Sequence, residues 1–514
     1  MRRLLLALSS SALFVAAFPP FSLGPLALVA LAPLLLALEG ARRPFLLAWL
    51  AGWAGFTGVV WWVYYAMAHF GGIPPFVAVP LMLLMTAVMA LSWGLFGWAY
   101  ARARRRLPRM PGLVAAPVLW TACEYLRAKL PDLEFPWALL GSALSGQLPL
   151  IQVADLGGVW IVSFVAALVA AGCAAFAGAP RGRGWNAGWR PLAAALAVLA
   201  ACGIYGQWRL GEPQPDRSVR VAVIQGSVPQ DVKWDRRFRE ETFRTHEELT
   251  REAARGGADL ISWSESATAF VYQREPEYQR RFADLAREAG TPLLFGSPAF
   301  EHAGGKRSLR NRAYLLGPAG DVAGWQDKQQ LVPFGEFVPF AKLLFFARPL
   351  VQAVGNFEPG EGPQLLGGPE RPFGALVCYE VIFPDLVRRF AAAGASFLVN
   401  ITNDAWYERS AASAQQFAHL AFRAVENRRP IARAANTGIS GFVDASGRVL
   451  AASTLFVRGQ WAADLPLPAR TTLYTRWGDW LPKLCLVLSV GALVAAKWGQ
   501  IYFSVPIGRS RLMI

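Results

Sequence analysis

The chain has 514 residues, of which 54% are hydrophobic and only 17% are charged, and its net charge is +16. A composition this apolar excludes an ordinary soluble protein and requires a membrane component. The positive charge does not indicate a nucleic-acid partner, because most basic residues lie in short clusters between apolar runs, where they orient helices in a bilayer.

Eight apolar segments are predicted to form transmembrane helices. A bilayer core about 30 Å thick needs roughly 20 apolar residues per helix. The first two segments are the shortest and are separated by Pro19-Pro20. In chain order the segments are 4–18, 25–38, 45–66, 76–100, 111–126, 159–177, 191–208 and 481–502. The first segment also fits a cleaved signal peptide, since Arg2-Arg3 precede an apolar stretch that ends in small residues.

Basic clusters assign a side to each connection, because arginine-rich loops resist translocation. They occupy alternate connections: Arg2-Arg3, Arg42-Arg43, five Arg in 102–109, then Arg181, Arg183 and Arg190, and finally Lys497, Arg509 and Arg511. With these clusters in the cytoplasm, four parts are predicted. They are seven transmembrane helices in 1–212, an extracytoplasmic domain in 216–468, an eighth helix in 480–502 and a cytoplasmic tail in 503–514.

Residues 216–468 have mixed charge, and their apolar runs are too short to span a bilayer. Strand-length apolar runs predict strands at 220–224, 260–263, 293–295, 313–316, 375–377, 397–401 and 431–434. Helical periodicity predicts helices at 236–254, 276–289 and 412–427. Strands this apolar are buried on both faces, so this part is predicted to be an α/β domain.

Three side chains that could carry chemistry lie next to apolar runs of this domain. Glu265 ends the run 260–265, Lys328 precedes residues 331–336, and Cys378 follows the run 375–377. Functional groups often lie where buried strands emerge. Each residue also has an ordinary interpretation: a solvated glutamate, a surface lysine and a cysteine packed as a small hydrophobe. Their common placement favours one site, in which a base and a cation help to form a nucleophilic thiolate.

Other site chemistries find little support in the sequence. The four His residues are scattered, and no Cys and His pair has the spacing of a zinc site. No glycine-rich loop resembles a phosphate cradle. We therefore expect neither a metal nor another cofactor. Five Cys residues are too few for a disulfide framework.

Six sequence motifs resemble those of the nitrilase superfamily, and specifically of its membrane-embedded branch, the apolipoprotein N-acyltransferases. They are Val228-Pro229-Gln230 with Lys233-Trp234-Asp235, Trp263-Ser264-Glu265, Lys328 with Leu331-Val332-Pro333-Phe334-Gly335-Glu336, Cys378-Tyr379-Glu380, Asn403-Asp404-Ala405-Trp406 and Asn436-Thr437-Gly438. Ser264 is a departure, since Pro is expected before the glutamate. The resemblance implies an αββα sandwich and a catalytic triad of Glu265, Lys328 and Cys378. Supporting or substrate-binding roles are implied for Trp234, Glu336, Tyr379, Glu380 and Trp406.

The resemblance also implies the reaction. The sn-1 acyl chain of a phospholipid would pass through a thioester on Cys378 to the α-amine of the N-terminal S-diacylglyceryl-cysteine of a lipoprotein. The implied partners are a phospholipid acyl donor and a diacylated apolipoprotein acceptor, with no nucleic acid. The implied location is the bacterial inner membrane, with the catalytic domain on the periplasmic side.

Two other functions share part of the pattern. A membrane-anchored nitrilase-type amidase would use the same triad but leaves the many apolar segments unexplained. A lipid transporter or scaffold with an inactive domain would explain those segments but not the triad. The aromatic segment 331–350 is expected to form an arm that dips into the membrane interface, and a buried helix of the domain is the alternative.

Overall fold

The computed structural model describes residues 1–107, 110–179, 186–268, 270–303, 306–337 and 357–503. In the described part of residues 1–212, the regular elements are helices. They are α1 (Arg2–Ala17), α2 (Ala32–Leu38), α3 (Pro44–Val60), α4 (Val63–Tyr65), α5 (Pro75–Met89), α6 (Leu91–Arg106), α7 (Gly112–Ala128), α8 (Leu148–Ile151), α9 (Ala154–Gly157), α10 (Val159–Ala177) and α11 (Asn186–Leu210). Single helical turns occupy Gly24–Leu28, Ala66–Phe70 and Leu140–Leu144.

Helix length and composition limit how many of these helices can span a membrane. Within the described residues, 3 helical stretches are long and apolar enough: Pro75–Arg106, Val159–Ala177 and Gly188–Leu210. Pro44–Val60 and Val63–Phe70 form a further candidate that is bent by 64°. Each apolar segment predicted from the sequence contains helix, although several of these helices are short.

The second half of the chain contains twelve strands and six helices among the described residues. The strands are β1 (Ser218–Gln225), β2 (Leu260–Ser262), β3 (Leu293–Ala303), β4 (Lys306–Leu316), β5 (Val322–Asp327), β6 (Leu365–Leu366), β7 (Phe373–Val377), β8 (Phe397–Thr402), β9 (Ile431–Ala435), β10 (Gly441–Val443), β11 (Val449–Ala452) and β12 (Gly459–Pro466). The helices are α12 (Arg239–Arg255), α13 (Pro276–Ala289), α14 (Pro384–Ala392), α15 (Ala412–Asn427), α16 (Leu473–Trp477) and α17 (Trp480–Phe503). The seven predicted strands and three predicted helices are confirmed, whereas β5, β6 and β10 to β12 were not predicted.

Two six-stranded sheets stack face to face. Their strand orders are β12-β1-β2-β3-β4-β5 and β11-β10-β9-β8-β7-β6. The centre of each sheet is parallel, with β1, β2 and β3 in one and β7, β8 and β9 in the other. Helices α12 and α13 cover the outer face of the first sheet, and α14 and α15 pack on the second. The predicted αββα sandwich is therefore confirmed, and its uniformly apolar strands are explained by burial on both faces.

Helix α15 fastens the sandwich to the helical part of the chain. Gln415 accepts hydrogen bonds at Oε1 from Trp62 Nε1 (3.0 Å) and Trp137 Nε1 (2.7 Å). Its Nε2 donates to the carbonyl oxygens of Pro19 and Val59. Buried polar groups are costly unless they are hydrogen-bonded. These four hydrogen bonds therefore favour one relative position of the sandwich and the helical part.

Candidate active site

Three strand ends bring the predicted triad together. Glu265 lies just after β2 and Lys328 just after β5 in the first sheet, and Cys378 follows β7 in the facing sheet. The backbone of Cys378 has φ 60°, in the left-handed region, as the chain turns sharply from β7 into a helical turn. A non-glycine residue in this conformation is strained, and such strain concentrates at functional sites.

Glu265 is fixed at both carboxylate oxygens. Asn311 Nδ2 donates to Oε1 (2.8 Å), and the backbone N–H of Asn403 donates to Oε2 (2.9 Å). Lys328 Nζ lies 3.8 Å from Oε1. The side chain is buried. A carboxylate with this orientation suits a general base, which needs a defined position relative to the proton that it removes.

Lys328 is a permanent cation in this site. Its Nζ donates to Glu336 Oε1 (2.9 Å) and lies 5.4 Å from the centre of the Tyr379 ring. Burial acts to lower the pKa of Lys328, but Glu336, Cys378 and Glu265 outweigh it and raise the pKa well above its ordinary value. The ammonium group therefore stays protonated and can stabilise negative charge on neighbouring atoms.

Glu336 joins the lysine to the loop that follows it. Its Oε1 accepts from both Lys328 Nζ and Asn311 Nδ2 (3.1 Å), and its Oε2 accepts from the backbone N–H of Val332 (2.8 Å). Asn311 thus bridges Glu336 and Glu265. This arrangement keeps two buried carboxylates apart while both remain hydrogen-bonded, which buried charges require.

Cys378 rests as a thiol. Burial and the Glu265 carboxylate raise the pKa of Cys378, while Lys328 acts in the opposite direction. Since only the thiolate is a good nucleophile, the proton must be transferred to a base when the reaction begins. Of the neighbouring carboxylates, Glu265 acts most strongly on this sulfur.

Glu380 connects the turn that carries Cys378 to the loop that follows Lys328. Its Oε1 accepts from the backbone N–H groups of Gln329 (2.6 Å) and Gln330 (3.1 Å), and its Oε2 accepts from that of Val377 (2.7 Å). Burial raises the pKa of Glu380 to about 7. Glu380 thus bonds to backbone N–H groups that follow Lys328 and precede Cys378, whereas the Lys328 ammonium itself donates to Glu336.

Aromatic residues surround the triad at different depths. Tyr379 is buried and its hydroxyl donates to the Leu331 carbonyl. Trp234 is 49% exposed, so about half of its surface faces solvent. Trp406 is half-buried and packs edge-on against Phe70 of the helical part, with ring centres 5.7 Å apart. The site thus lies at the junction between the sandwich and the apolar helices.

Several site residues were not singled out from the sequence. Asn311 lies inside β4, where nothing in the residue pattern distinguishes it. Lys233 belongs to a sequence motif that implies no role for it, yet its Nζ donates to the Glu265 carbonyl (3.2 Å). The Asp404 carboxylate forms a buried ion pair with Arg433 (2.9 Å), which anchors the turn that carries Trp406.

The predicted arm lies mostly outside the described residues. Its described part reaches Phe337 and includes Phe334, which is 43% exposed and has φ 61°. Residues 338–350 of the predicted arm fall outside the described ranges. Among the residues that the structure describes, no three His, Cys, Asp or Glu side chains are grouped so that they could hold a metal ion.

Comparisons with known proteins cover both halves of the chain. The family model for the apolipoprotein N-acyltransferase N-terminal domain matches residues 10–172, and the carbon-nitrogen hydrolase model matches residues 220–473.

Relatives named apolipoprotein N-acyltransferase match nearly the whole length. The one from Geobacter metallireducens is 40% identical over 505 residues, which cover 96% of this chain and 95% of the relative. Those from Vibrio vulnificus and Methylococcus capsulatus are 30% and 33% identical and cover 95% and 97% of this chain and 95% and 96% of their own lengths. A solved amidase from Nesterenkonia sp. AN1 is 24% identical, with a TM-score of 0.37 over 50% of this chain and 94% of its own.

Proposed function

This chain belongs to the apolipoprotein N-acyltransferase family of the nitrilase superfamily, and from that membership we propose the route by which it acylates lipoproteins. The enzyme is an acyltransferase, and we assign its chemistry to Glu265, Lys328 and Cys378. The reaction is a ping-pong transfer from the sn-1 position of a phospholipid, through a thioester on Cys378, to a diacylated apolipoprotein. The proximity of these three side chains is the observation that carries this assignment: Lys328 Nζ lies 3.8 Å from Glu265 Oε1, and both charges act on Cys378.

In the first half-reaction, Glu265 takes the thiol proton of Cys378, and the thiolate attacks the ester carbonyl of the phospholipid. The oxyanion is stabilised by the Lys328 ammonium and the backbone N–H of Tyr379. A single donor of this kind typically contributes about 3 to 4 kcal/mol. The carbon–oxygen bond then breaks, and Glu265 returns its proton to the alkoxide of the departing lysophospholipid. The acyl chain remains as a thioester.

In the second half-reaction, the α-amine of the N-terminal diacylglyceryl-cysteine attacks the thioester carbonyl. A carbon–nitrogen bond forms and the carbon–sulfur bond breaks. Glu265 takes a proton from the nitrogen and returns it to the Cys378 thiolate. The path from ester through thioester to amide needs no nucleotide, because each acyl bond is exchanged for another.

Intact-mass analysis of the purified full chain tests this route. Incubation with a phospholipid should add one acyl chain to the protein, and hydroxylamine should remove it. Cys378→Ala should abolish the adduct, whereas Cys202→Ala, which changes a cysteine of α11, should retain it. Release of ammonia from small amides without any adduct would instead support a membrane-anchored amidase. Full lipoprotein acylation by Cys378→Ala would exclude the thioester route.

The proposed topology places the site on the outer side of the bacterial inner membrane. Residues 1–212 would supply seven spans, 480–502 the eighth and 216–468 the periplasmic domain, with 503–514 in the cytoplasm. The alternating arginine clusters support this orientation. A membrane-impermeant maleimide should label Glu370→Cys in intact spheroplasts but Arg42→Cys only after permeabilisation, since both positions are exposed in the structure. The reverse labelling would overturn the proposed orientation.

A further inference from the structure

Two lysines are buried at the same site in a chain that otherwise uses arginine. Only seven of the 51 basic residues are Lys, and Lys233 and Lys328 are 3% and 1% exposed. An arginine side chain stays charged in proteins, whereas a lysine can lose its proton when its surroundings disfavour the charge. The two buried lysines therefore need not both carry a positive charge.

Their hydrogen-bond partners differ in charge. Lys328 Nζ lies between the carboxylates of Glu336 (2.9 Å) and Glu265 (3.8 Å). Lys233 Nζ instead donates to the main-chain carbonyl of Glu265 at 3.2 Å, which is a neutral acceptor. Within the described ranges, no carboxylate lies at ion-pair distance from Lys233.

Burial therefore lowers the pKa of Lys233 to about 8, although Glu265 and Cys378 act to raise it. The other titratable group that faces it is His246 of α12, whose pKa burial lowers to about 4, so this ring is neutral near pH 7. When two groups of the same type have different pKa values in one site, one of them commonly stabilises charge and the other transfers protons. Lys328 fits the first role and Lys233 the second.

Lys233 is buried, but it lies next to an exposed residue of the same loop. Lys233 is buried against Glu265, whereas the next residue, Trp234, is 49% exposed. The chain therefore passes from the buried site to the protein surface within one residue of Lys233. The amine of Lys233 contacts Glu265, which is the residue that we assign as general base, and its charge interacts with Cys378.

We propose that Lys233 takes a proton from the α-ammonium group of the incoming lipoprotein, so that a neutral amine attacks the thioester on Cys378. This inference rests on the thioester route proposed above. Neutral Lys233 becomes an ammonium ion as the acceptor becomes an amine. Glu265 then takes the second proton, which the nitrogen loses as the carbon–nitrogen bond forms, and passes it to the Cys378 sulfur as the carbon–sulfur bond breaks. Lys233 finally releases its proton to water.

The transfer to the lipoprotein amine requires a second base besides Glu265. An α-amino group has an ordinary pKa of about 7.7 to 8.0, so much of the acceptor arrives protonated and unable to attack. Glu265 can accept only one proton per transfer, and that proton must return to sulfur. A second base with a matching pKa takes the first proton at little free-energy cost, which is the condition under which general bases are most effective.

The test compares two nucleophiles on one acyl-enzyme. The full-length wild type, Lys233→Arg and Lys233→Gln are each acylated to completion with phospholipid and then mixed with either a diacylated lipopeptide or hydroxylamine. Hydroxylamine is uncharged at neutral pH, so it can attack without first giving a proton to a base. We expect both substitutions to lower the ratio of lipopeptide to hydroxylamine rates at pH 7 by roughly 100-fold or more, within the usual range for a lost general base. An unchanged ratio in the arginine variant would show that Lys233 acts only as a cation.

A second measurement uses the wild type alone and decides the matter if neither variant can be acylated. An acceptor analogue is made whose amine has a lysine-like pKa of about 10. With Lys233 as base, the rate of thioester loss should rise with pH to a plateau near pH 8. A rise that follows the analogue's own amine to about pH 10 would overturn the inference. Failure of the wild type to form a thioester would instead refute the proposed route itself.

Discussion

Removal of one side-chain amide should disable the site without touching the substrate. Asn311 is buried inside β4, and its Nδ2 donates to Glu265 Oε1 (2.8 Å) and Glu336 Oε1 (3.1 Å). In Asn311→Ala both carboxylates lose this donor, while Lys328 still pairs with Glu336. Of the donors that the described residues supply, Glu265 then keeps only the backbone N–H of Asn403, so we predict that its position relative to Cys378 becomes less defined.

The size of the effect follows from these contacts. A hydrogen bond to a charged group contributes about 1.5 to 3 kcal/mol, and the single amide serves two carboxylates. Water that enters the vacated space can replace part of this hydrogen bonding. We therefore expect the variant to lose about 2 to 3 kcal/mol of transition-state stabilisation. Expressed as rate, about 2.7 kcal/mol is a factor of roughly 100. A misplacement of about 1 Å near the reacting atoms has an effect of the same order.

The assay is the rate at which the acyl adduct appears on Cys378, measured by mass after rapid quenching over a range of phospholipid concentrations. The maximum rate should fall about 100-fold with little change in the half-saturating concentration, because Asn311 acts through Glu265. Asn311→Asp should lower the maximum rate further, since it places a third carboxylate beside those of Glu265 and Glu336. Gln273→Ala, which removes an exposed amide whose Oε1 accepts from Phe300 N, is the control and should resemble the wild type. A maximum rate for Asn311→Ala within threefold of wild type would refute the reasoning.

Three further predictions concern stability. Burial raises the pKa of Glu380 from its ordinary 4.5 to about 7, so the stability that this group contributes is full below pH 4.5 and is lost as the pH rises through 7. Glu380→Gln should therefore flatten the decline of the melting temperature between those pH values, and an unchanged slope would contradict this. Gln415→Leu leaves two indole N–H groups and two carbonyls without their partner, at about 1 to 3 kcal/mol each, and should lower the melting temperature in detergent by several degrees. Gly226→Ala should destabilise by about 1 to 3 kcal/mol because its Cβ would collide with the His246 ring, whereas Gly362→Ala meets nothing within 4 Å and should be neutral. Equal melting temperatures for the two glycine variants would remove the steric argument.

The sequence was informative where the signal is local. Apolar runs of strand length predicted β7 and β8, and periodicity predicted α13 and α15, because burial of a strand or of one helix face determines which residue types occur there. Cys378 could be picked out in the same way, since it follows such a run.

Missed strands show the limit of local signals. Three of the six residues of β5 are exposed, and β10 has only three residues. Neither therefore forms an apolar run long enough to be recognised. Both are stabilised by pairing with a neighbouring strand, β4 and β9 respectively, rather than by their own composition.

By itself the sequence determined which chemical groups this protein has and which segments are apolar enough to fold as helices or buried strands. Only the tertiary structure decided what each group does. Asn311 becomes a bridge between carboxylates because β4 brings it between Glu265 and Glu336. Lys233 and Lys328 have the same side chain, yet one faces a carbonyl and the other two carboxylates. Protonation and orientation depend on charges and burial supplied by residues distant in the chain, and that information arises only when the two sheets pack together.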